Sequence, residues 1–276
     1  MGNKEYFSES EFLNDYDSSL YEKLSMTVDI AIFSVSSEEV DNYRKTSDKK
    51  FSILLVKRKT YPFKDMWCLP GGFVNVSESL DDAAKRVLLD ETNLKNIYLE
   101  QLYTFGNPKR DPRMRIVSTA YMSLIDKSIL EDNIPDNASW FNIEFKEHNN
   151  KIFIILNNGV EVVNVELDKV LRDKTTDRYD YVNVLNTLAF DHSVVIASGI
   201  SRLKNKLEYT DIVFNMMPEY FTLGELQQVY EVILGRKLLA PAFRRIIAGK
   251  VEKTNRSRTG GGHRPSILYK YKKSLQ

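Results

Sequence analysis

The sequence of 276 residues contains one cysteine, Cys68, which excludes an internal disulfide and any zinc site rich in cysteine. No apolar run reaches the roughly 18 residues that a membrane-spanning helix needs. The first twelve residues are polar and acidic and contain no signal-peptide core. We therefore expect a cytoplasmic protein that does not bind a membrane.

Histidine is also scarce. His148, His192 and His263 form neither a metal-ligand spacing nor a triad with Cys68. We expect Cys68 to be a small buried residue without a catalytic role, and His192, in LAFDHSVV, to form a structural hydrogen bond. The sequence therefore indicates no thiol or histidine catalyst.

Acidic residues are missing from one part of the chain. The net charge is +1, but residues 236–273 contain twelve Lys and Arg and a single acid, Glu252. This tail therefore carries +11 and the rest of the chain −10. A basic block of this size is typical of a protein that binds an anionic partner, most often nucleic acid.

The body of the chain has the pattern of an α/β fold. Ser79, followed three residues later by Asp82, predicts the start of a helix. The pair Asn158-Gly159, between two alternating segments, predicts a β-hairpin over 151–167. The remaining predicted elements are one or two short helices over 7–25, strands over 26–35, 51–58, 97–105, 115–125 and 139–145, a loop over 36–50, a Gly/Pro turn over 67–74, and a helix over 191–206.

The basic tail has the order of elements found in a winged helix-turn-helix. Thr222 with Glu225 forms a capping box that begins one helix, and Gly235 can end it. A second helix is predicted over 240–248, and two short strands flank a Gly-rich tip over 259–265. The second helix carries Arg244 and Arg245 and would face the core with Phe243, Ile246 and Ile247.

The segment GFVNVSESLDDAAKRVLLDETNL resembles the Nudix box, a pyrophosphatase motif. Two positions depart from it: Val87 replaces the first helix glutamate, and Asn93 replaces a glycine. The positions that match are Gly72, Glu78, Arg86, Leu88, Asp90, Glu91 and Leu94.

Positions 87, 90 and 91 share one helix face, where three carboxylates would gather Mg²⁺ over a pyrophosphate. Because this chain has only Asp90 and Glu91 there, we expect a degenerate catalytic site in which these two residues are the remaining metal ligands or catalytic groups on the helix. If the chain is a hydrolase, a distant acid in a loop would have to supply the base. An alternative interpretation is that Asp82, Arg86 and Asp90 form ordinary ion pairs on a solvated helix.

A basic loop, GNPKRDPRMR, is expected to face the phosphates of an anionic ligand. The alternative is a loop whose cations are solvated or paired with acids. Trp67 and Phe73, beside the Gly turn, are expected either to stack on a nucleobase or to belong to the core. The cations of the loop are Lys109, Arg110, Arg113 and Arg115.

Together these features resemble the Nudix-related transcriptional regulators of NAD metabolism, a bacterial repressor family often called NrtR. The segments that carry the resemblance include VDIAIF, WCLPGGFV, NPKRDPRMR, FTLGELQQVYEVILGR and GGGHRP. The resemblance implies a Nudix domain, with a mixed sheet between helices, that senses ADP-ribose, followed by a winged helix that binds operator DNA as a dimer. A sister group responds to a sugar instead, so the effector is less firmly implied than the architecture.

The resemblance also implies roles for residues and domains. The domains would be a helical extension over 1–24, a Nudix-like domain over 25–190 with an inserted hairpin, and a linker helix with the winged helix over 191–276. The cleft would be lined or braced by Arg58, Gly71, Gly72, Glu78, Arg86, Asp90, Glu91, Arg113 and Arg115. DNA would be bound by Arg244, Arg245, Lys250, Arg256, Arg258 and Arg264.

Two functions follow. The first is an effector-controlled regulator, a repressor of NAD-metabolism genes, whose degenerate Nudix domain senses ADP-ribose or a related nucleotide. The alternative is a Mg²⁺-dependent pyrophosphatase acting on ADP-ribose or a nucleoside-diphosphate sugar, with a basic tail that binds nucleic acid. Release of AMP from ADP-ribose would distinguish them.

Overall fold

The computed structural model describes residues 7–37, 49–93, 95, 97–127, 134–173, 178–185, 188–258 and 265–272. The helices are α1 (Glu9–Asp15), α2 (Leu80–Thr92), α3 (His192–Leu207), α4 (Leu223–Leu234) and α5 (Ala240–Ile246), with 3-10 turns at Ser18–Leu20 and Ile212–Met216. The strands are β1 (Ser25–Ser37), β2 (Lys49–Lys57), β3 (Trp67–Cys68), β4 (Gly71–Phe73), β5 (Tyr98–Phe105), β6 (Ile116–Ile125), β7 (Ala138–His148), β8 (Lys151–Asn157), β9 (Val162–Asp173), β10 (Arg178–Leu185), β11 (Val251–Arg258) and β12 (Ser266–Tyr271).

The large sheet is mixed, in the order β10-β9-β8-β7-β2-β1-β6-β5, with β3 and β4 paired to β2 and β1. Only β1 and β6 pair in parallel among these described strands. Because side chains alternate along a strand, β1 buries Ile30 and Ile32 against α2, and Ala31 and Phe33 against α3. The sheet is therefore covered by a helix on each face, as the sequence predicts.

Helix α2 begins and ends as its sequence dictates. Ser79 is the N-cap, and its hydroxyl accepts a hydrogen bond from the Asp82 N–H (3.1 Å). Asn93 ends the helix at φ 55°, in the left-handed region that glycine and asparagine tolerate best. The substitution of the motif glycine by asparagine therefore preserves the turn, whereas Leu94 lies outside the described residues.

Two parts of the sheet differ from the sequence prediction. The segment 67–74, predicted as a turn, contains the short strands β3 and β4 on either side of the turn residues Leu69 and Pro70. The predicted hairpin is part of a four-stranded meander, β7 to β10, and its Asn158 turn spans four residues rather than two. The preceding turn, Asn149-Asn150, has positive φ at both residues and was missed because it lacks glycine. The loop predicted over 36–50 falls largely on residues 38–48, which lie outside the described part.

Helix α3 connects the sheet with the tail. It packs on β1 and β5 and also contacts α4 and the 3-10 turn Ile212–Met216. Leu203 and Leu207 of α3 lie in the same apolar core as Leu226 and Val229 of α4. By its packing, α3 therefore belongs to the sheet domain as much as to the tail.

The tail forms the predicted winged helix. Thr222 and Glu225 form a reciprocal capping box, and Gly235 ends α4 at φ 71°. Strands β11 and β12 form the wing, and Phe221 pairs with Tyr269 at its base. Of the apolar residues predicted to face the core from α5 and its end, Phe243 and Ile247 are buried and Ile246 is half-buried.

The extension over residues 7–24 is exposed at every position, and its only helices are α1 and one 3-10 turn. In the part of the chain that the structure describes, no helix has both the length and the apolarity to cross a membrane.

Candidate ligand cleft and DNA-binding surface

A cleft of about 310 Å³ opens where β1, β4 and the end of α2 meet the loops 57–60 and 110–113. Of the residues predicted to line or brace it, five lie in its wall: Arg58, Gly71, Gly72, Glu91 and Arg113. Glu78, Arg86, Asp90 and Arg115 lie outside that wall.

Gly71 lies opposite Asp29 in the β1–β4 pairing. A Cβ atom at position 71 would come within 2.5 Å of Asp29 Oδ1 and 2.8 Å of the Val28 carbonyl oxygen. Only glycine fits this contact, which brings the backbone of the turn onto a buried carboxylate.

The eroded helix presents two carboxylates instead of three. Val87 is buried and contacts the turn at Gly72, where an added Cβ would meet its methyl group at 3.3 Å. Asp90 is exposed, and Glu91 is half-buried in the cleft wall. Burial, reinforced by Asp90, raises the pKa of Glu91, and Lys59 opposes the shift.

These residues do not form a complete magnesium site. Among the described residues, no three His, Cys, Asp or Glu side chains are grouped so that they could hold a metal ion. Mg²⁺ prefers several oxygen ligands in octahedral geometry, and a valine in the third ligand position supplies none.

Glu78 and Arg86 bind each other rather than the cleft. Arg86 donates to Glu78 Oε1 (2.6 Å) and Oε2 (3.0 Å), and also to the Phe73 carbonyl oxygen. The Arg86 side chain and the Asn75 N–H lower the pKa of Glu78 to about 2. The pair fixes the loop before α2 onto the helix. The alternative interpretation of the sequence paired Arg86 with Asp82 and Asp90, but among the described residues Arg86 forms a hydrogen bond with neither.

Two cleft arginines stack on one aromatic ring. The guanidinium carbon of Arg58 lies 4.8 Å from the centre of the Phe190 ring, and that of Arg113 lies 5.8 Å from it. Arg113 also lies 5.4 Å from the ring of Phe73 and is bound to Asp111 (2.7 Å). Arginine can bind a phosphate bidentately through the N–H edge of its guanidinium group, so these two side chains at the cleft wall suit an anionic ligand.

Arg110 of the basic loop is not available to a ligand. Its side chain is 4% exposed and donates to Asp191 Oδ1 (2.7 Å) and Oδ2 (3.0 Å) and to Asp29 Oδ2 (3.0 Å). Burial alone would raise the pKa of Asp29, but His192, Arg110 and Ser118 together hold it well below its ordinary value. At Arg110, the structure therefore agrees with the alternative interpretation, in which a cation of the loop is paired with acids.

His192 forms the structural hydrogen bond that the sequence suggests. Its Nδ1 accepts from the Leu69 N–H (2.9 Å), and its Nε2 lies 3.5 Å from Asp29 Oδ1. The histidine therefore ties the turn above the cleft to the start of α3.

The aromatic and thiol side chains beside the turn have different environments. Trp67 is buried, donates to Glu161 Oε2 (2.9 Å) and packs edge-on against Phe141, so it belongs to the core. Phe73 is 46% exposed at the cleft wall. Burial raises the pKa of Cys68 to about 12, which makes the thiol unreactive at neutral pH.

Sequence reasoning missed Asp29, Asp191 and Phe190. One signal was present: Asp29 is a lone acid inside the apolar segment MTVDIAIF, and a charge on a buried strand requires a partner. Nothing local indicates that Phe190, at φ 55°, lines the cleft.

The DNA-binding candidates of the tail also separate into two groups. Arg244 and Arg245 are exposed on α5, and neither side chain has a hydrogen-bond or ion-pair partner among the described residues. Arg256, on the wing, stacks over the ring of Tyr220 (4.0 Å).

Two wing candidates are held by acids. Lys250 binds Asp211 (2.9 Å) and the Thr210 carbonyl oxygen (3.1 Å), which fixes the base of the wing to the segment before α4. Arg258 binds Glu225 (2.6 Å) but remains half-exposed. Arg264 lies outside the described residues.

Comparison with known proteins places both halves of the chain. Residues 40–150 match the NUDIX domain, and residues 213–271 match the NrtR DNA-binding winged helix domain. A relative from Acinetobacter baylyi, described as an ADPR responsive transcriptional repressor NtrR, is 35% identical over 272 residues, covering 96% of this chain and 89% of the relative.

Solved structures agree over nearly the whole length. The crystal structure of Shewanella oneidensis NrtR complexed with a 27mer DNA has a TM-score of 0.63 at 30% identity and covers 90% of this chain and 93% of that chain. A MutT/nudix family protein from Enterococcus faecalis has a TM-score of 0.68 at 29% identity, covering 96% and 94%.

Fold and site thus define a regulator in which a Nudix domain with an eroded catalytic helix is joined to a DNA-binding winged helix. The chain belongs to the NrtR family of transcriptional regulators.

Proposed function

We propose that this protein is a transcriptional repressor whose affinity for operator DNA is set by ADP-ribose bound in the Nudix cleft. The observation that carries the proposal is Val87: the helix face that should gather metal is partly apolar, while the cleft keeps its arginines. A site of this kind favours binding of a pyrophosphate over its hydrolysis.

In the proposed complex, Arg58 and Arg113 bind the diphosphate, and Gly71 and Gly72 allow the ligand to approach the backbone of the turn. Phe73 is an exposed ring beside Arg113 in the cleft wall and is the candidate for stacking on the adenine. Glu78 and Arg86 act indirectly, because Arg86 binds both Glu78 and the Phe73 carbonyl oxygen and so fixes the end of β4, which carries Phe73.

On the DNA side, Arg244 and Arg245 of α5 bind in the major groove, while Arg256, Arg258 and Arg264 of the wing reach phosphates or the minor groove. A recognition helix of seven residues offers few base contacts, so we propose a homodimer on a two-fold symmetric operator. The genes controlled would be those of NAD metabolism, and the protein would act in the cytoplasm, where its DNA is.

A gel-shift titration on the protein's own promoter tests the proposal. We expect a specific shift whose midpoint moves when ADP-ribose is added. No specific shift, or a midpoint that is indifferent to every NAD-related nucleotide, would contradict the proposal. Light scattering of the free protein tests the dimer separately.

The competing function is hydrolysis of ADP-ribose with Mg²⁺, for which Asp90 and Glu91 are the remaining ligands. Glu91 is the better placed, since it lies in the cleft wall. Incubation with ADP-ribose and Mg²⁺ should release little AMP. Fast release that Glu91→Gln abolishes would favour the hydrolase instead.

A further inference from the structure

Residues 190–192, here called the junction, connect the cleft to helix α3. Phe190 lies in the cleft wall, Asp191 is the N-cap of α3, and His192 is its first residue. Three consecutive residues thus pass from the proposed ligand site into the helix that contacts α4 of the winged helix.

The backbone of Phe190 is held in a conformation that a bulky residue rarely adopts. Its φ of 55° lies in the left-handed region, and such a residue persists only where its surroundings hold it. Its ring lies against the guanidinium groups of Arg58 and Arg113 and against two rings, those of Phe63 (centres 4.8 Å apart) and His192 (5.3 Å). Two of these four contacts are made by the cations assigned to the diphosphate.

Asp191 occupies the N-cap position of α3, but its side chain does not cap the helix. Its side chain forms no hydrogen bond to the helix N–H groups, although aspartate is a favoured N-cap residue. The carboxylate is instead held by both bonds from Arg110, which also binds Asp29 beneath the turn. Because the Nη2 and Nε groups of a buried arginine fix the carboxylate in one plane, the start of α3 is set by Arg110.

The C-terminal end of α3 can transmit a displacement of the helix to the winged helix. Leu203 and Leu207 pack in one continuous core with Leu226, Val229 and Ile233 of α4. A shift at the start of a packed helix is transmitted along it as a small rigid displacement.

We propose that the junction is the coupling element of this regulator, in which Phe190 senses the cleft arginines and Arg110, as a positioning residue, holds Asp191 and thereby the start of α3. An anion that draws Arg58 and Arg113 away from the Phe190 ring removes contacts that hold its strained backbone. Relaxation of Phe190 then moves Asp191 against Arg110 and shifts α3 beneath α4. This inference rests on the proposed function.

The experiment measures the ratio of DNA dissociation constants without and with saturating ADP-ribose. Saturation makes the ratio independent of the ligand affinity of each variant. Phe190→Gly removes the ring while keeping a residue that tolerates positive φ, and Phe190→Tyr keeps the ring. Asp191→Asn weakens the Arg110 pair without changing the shape of the side chain.

The matched control is Asp81→Asn on α2, which alters a carboxylate that accepts a hydrogen bond from Tyr121 (2.6 Å) far from the junction. A single cooperative urea-unfolding transition shows that each variant is folded, whatever its midpoint. Isothermal titration confirms that each variant still binds ADP-ribose.

We expect the ratio of Phe190→Gly and Asp191→Asn to come within about twofold of one from either side, while Phe190→Tyr and Asp81→Asn keep the wild-type ratio. Wild-type ratios in Phe190→Gly and Asp191→Asn would overturn the junction proposal and leave the proposed function intact. A wild-type protein whose DNA affinity ignores ADP-ribose would instead contradict the proposed function itself.

Discussion

The two domains use arginine in opposite ways. In the Nudix domain, Arg86 binds Glu78 (2.6 Å) and Arg110 binds Asp29 (3.0 Å), both within that domain. In the winged helix, Arg244 and Arg245 are exposed and unpaired among the described residues. Arg86 and Arg110 therefore organise one domain, whereas Arg244 and Arg245 are left for a partner in the other.

This difference shows why a count of charges is an incomplete guide to a ligand. The loop GNPKRDPRMR carries four cations, yet Arg110 is consumed by two acids that are distant in sequence. The tail is basic in sequence and keeps free cations on one helix. An internal acid withholds a cation from an external partner when the pair is buried, as at Arg110, whereas Arg113 is bound to Asp111 and stays partly exposed at the cleft wall.

If Arg110 stabilises the fold and Arg244 does not, replacing each by methionine should change the free energy of unfolding by different amounts. Arg110→Met leaves the buried carboxylates of Asp29 and Asp191 without their cation, and we expect a loss of about 3 to 5 kcal/mol in the free energy of unfolding. Arg244→Met should stay within about 0.5 kcal/mol of the wild type. Urea denaturation measures both, and equal losses would remove the contrast between the domains.

The second prediction concerns binding. Arg244→Ala and Arg245→Ala should each weaken operator binding by about 1 to 3 kcal/mol if they contact bases. For a phosphate contact, the slope of log affinity against log salt should fall by about one unit for each residue. Fluorescence anisotropy at several salt concentrations measures both effects. An unchanged affinity and slope for either variant would show that its arginine does not meet DNA.

Among the described residues, Lys250 is a cation of the basic tail that is paired with an acid, unlike Arg244 and Arg245. Because its ammonium is held by Asp211 and Thr210, Lys250→Ala should lower the free energy of unfolding by about 1 kcal/mol and leave the salt slope of DNA binding unchanged. Arg245→Ala is the matched control, with the reverse pattern. A lower salt slope for Lys250→Ala would return Lys250 to the DNA surface.

The smallest effect is the pH dependence of the Glu78–Arg86 pair. The pKa of Glu78 is about 2 in the folded protein and below its ordinary value of 4.5. A carboxylate with a lowered folded-state pKa stabilises the fold above pH 4.5 and loses that contribution as the pH falls toward 2. The difference in unfolding midpoint between wild type and Glu78→Gln should therefore shrink over this interval. A difference that is constant with pH would show that the pair does not act through its charge.

Local rules predicted most elements of this fold. Ser79, Thr222 and Gly235 begin or end their helices where the sequence places them, because caps depend on neighbouring residues. The meander β7 to β10 was only partly predicted, since Asn149-Asn150 makes a positive-φ turn without glycine.

The cleft could be predicted only where a motif fixes it. The Nudix spacing locates Gly72 and Glu91, and Val87 reveals the eroded metal site. Asp29 and Arg110 are 81 residues apart, and their contact depends on how β1, the basic loop and α3 meet. Pairing over such distances has no local signal.

The central claim is that the cleft binds ADP-ribose without efficient hydrolysis and thereby controls DNA binding. The most direct measurement is one titration of promoter DNA with and without saturating ADP-ribose, with AMP release followed in the same sample in the presence of Mg²⁺. We expect the DNA dissociation constant to change by about fivefold or more while the nucleotide remains largely intact. An unchanged dissociation constant together with rapid AMP release would contradict the account.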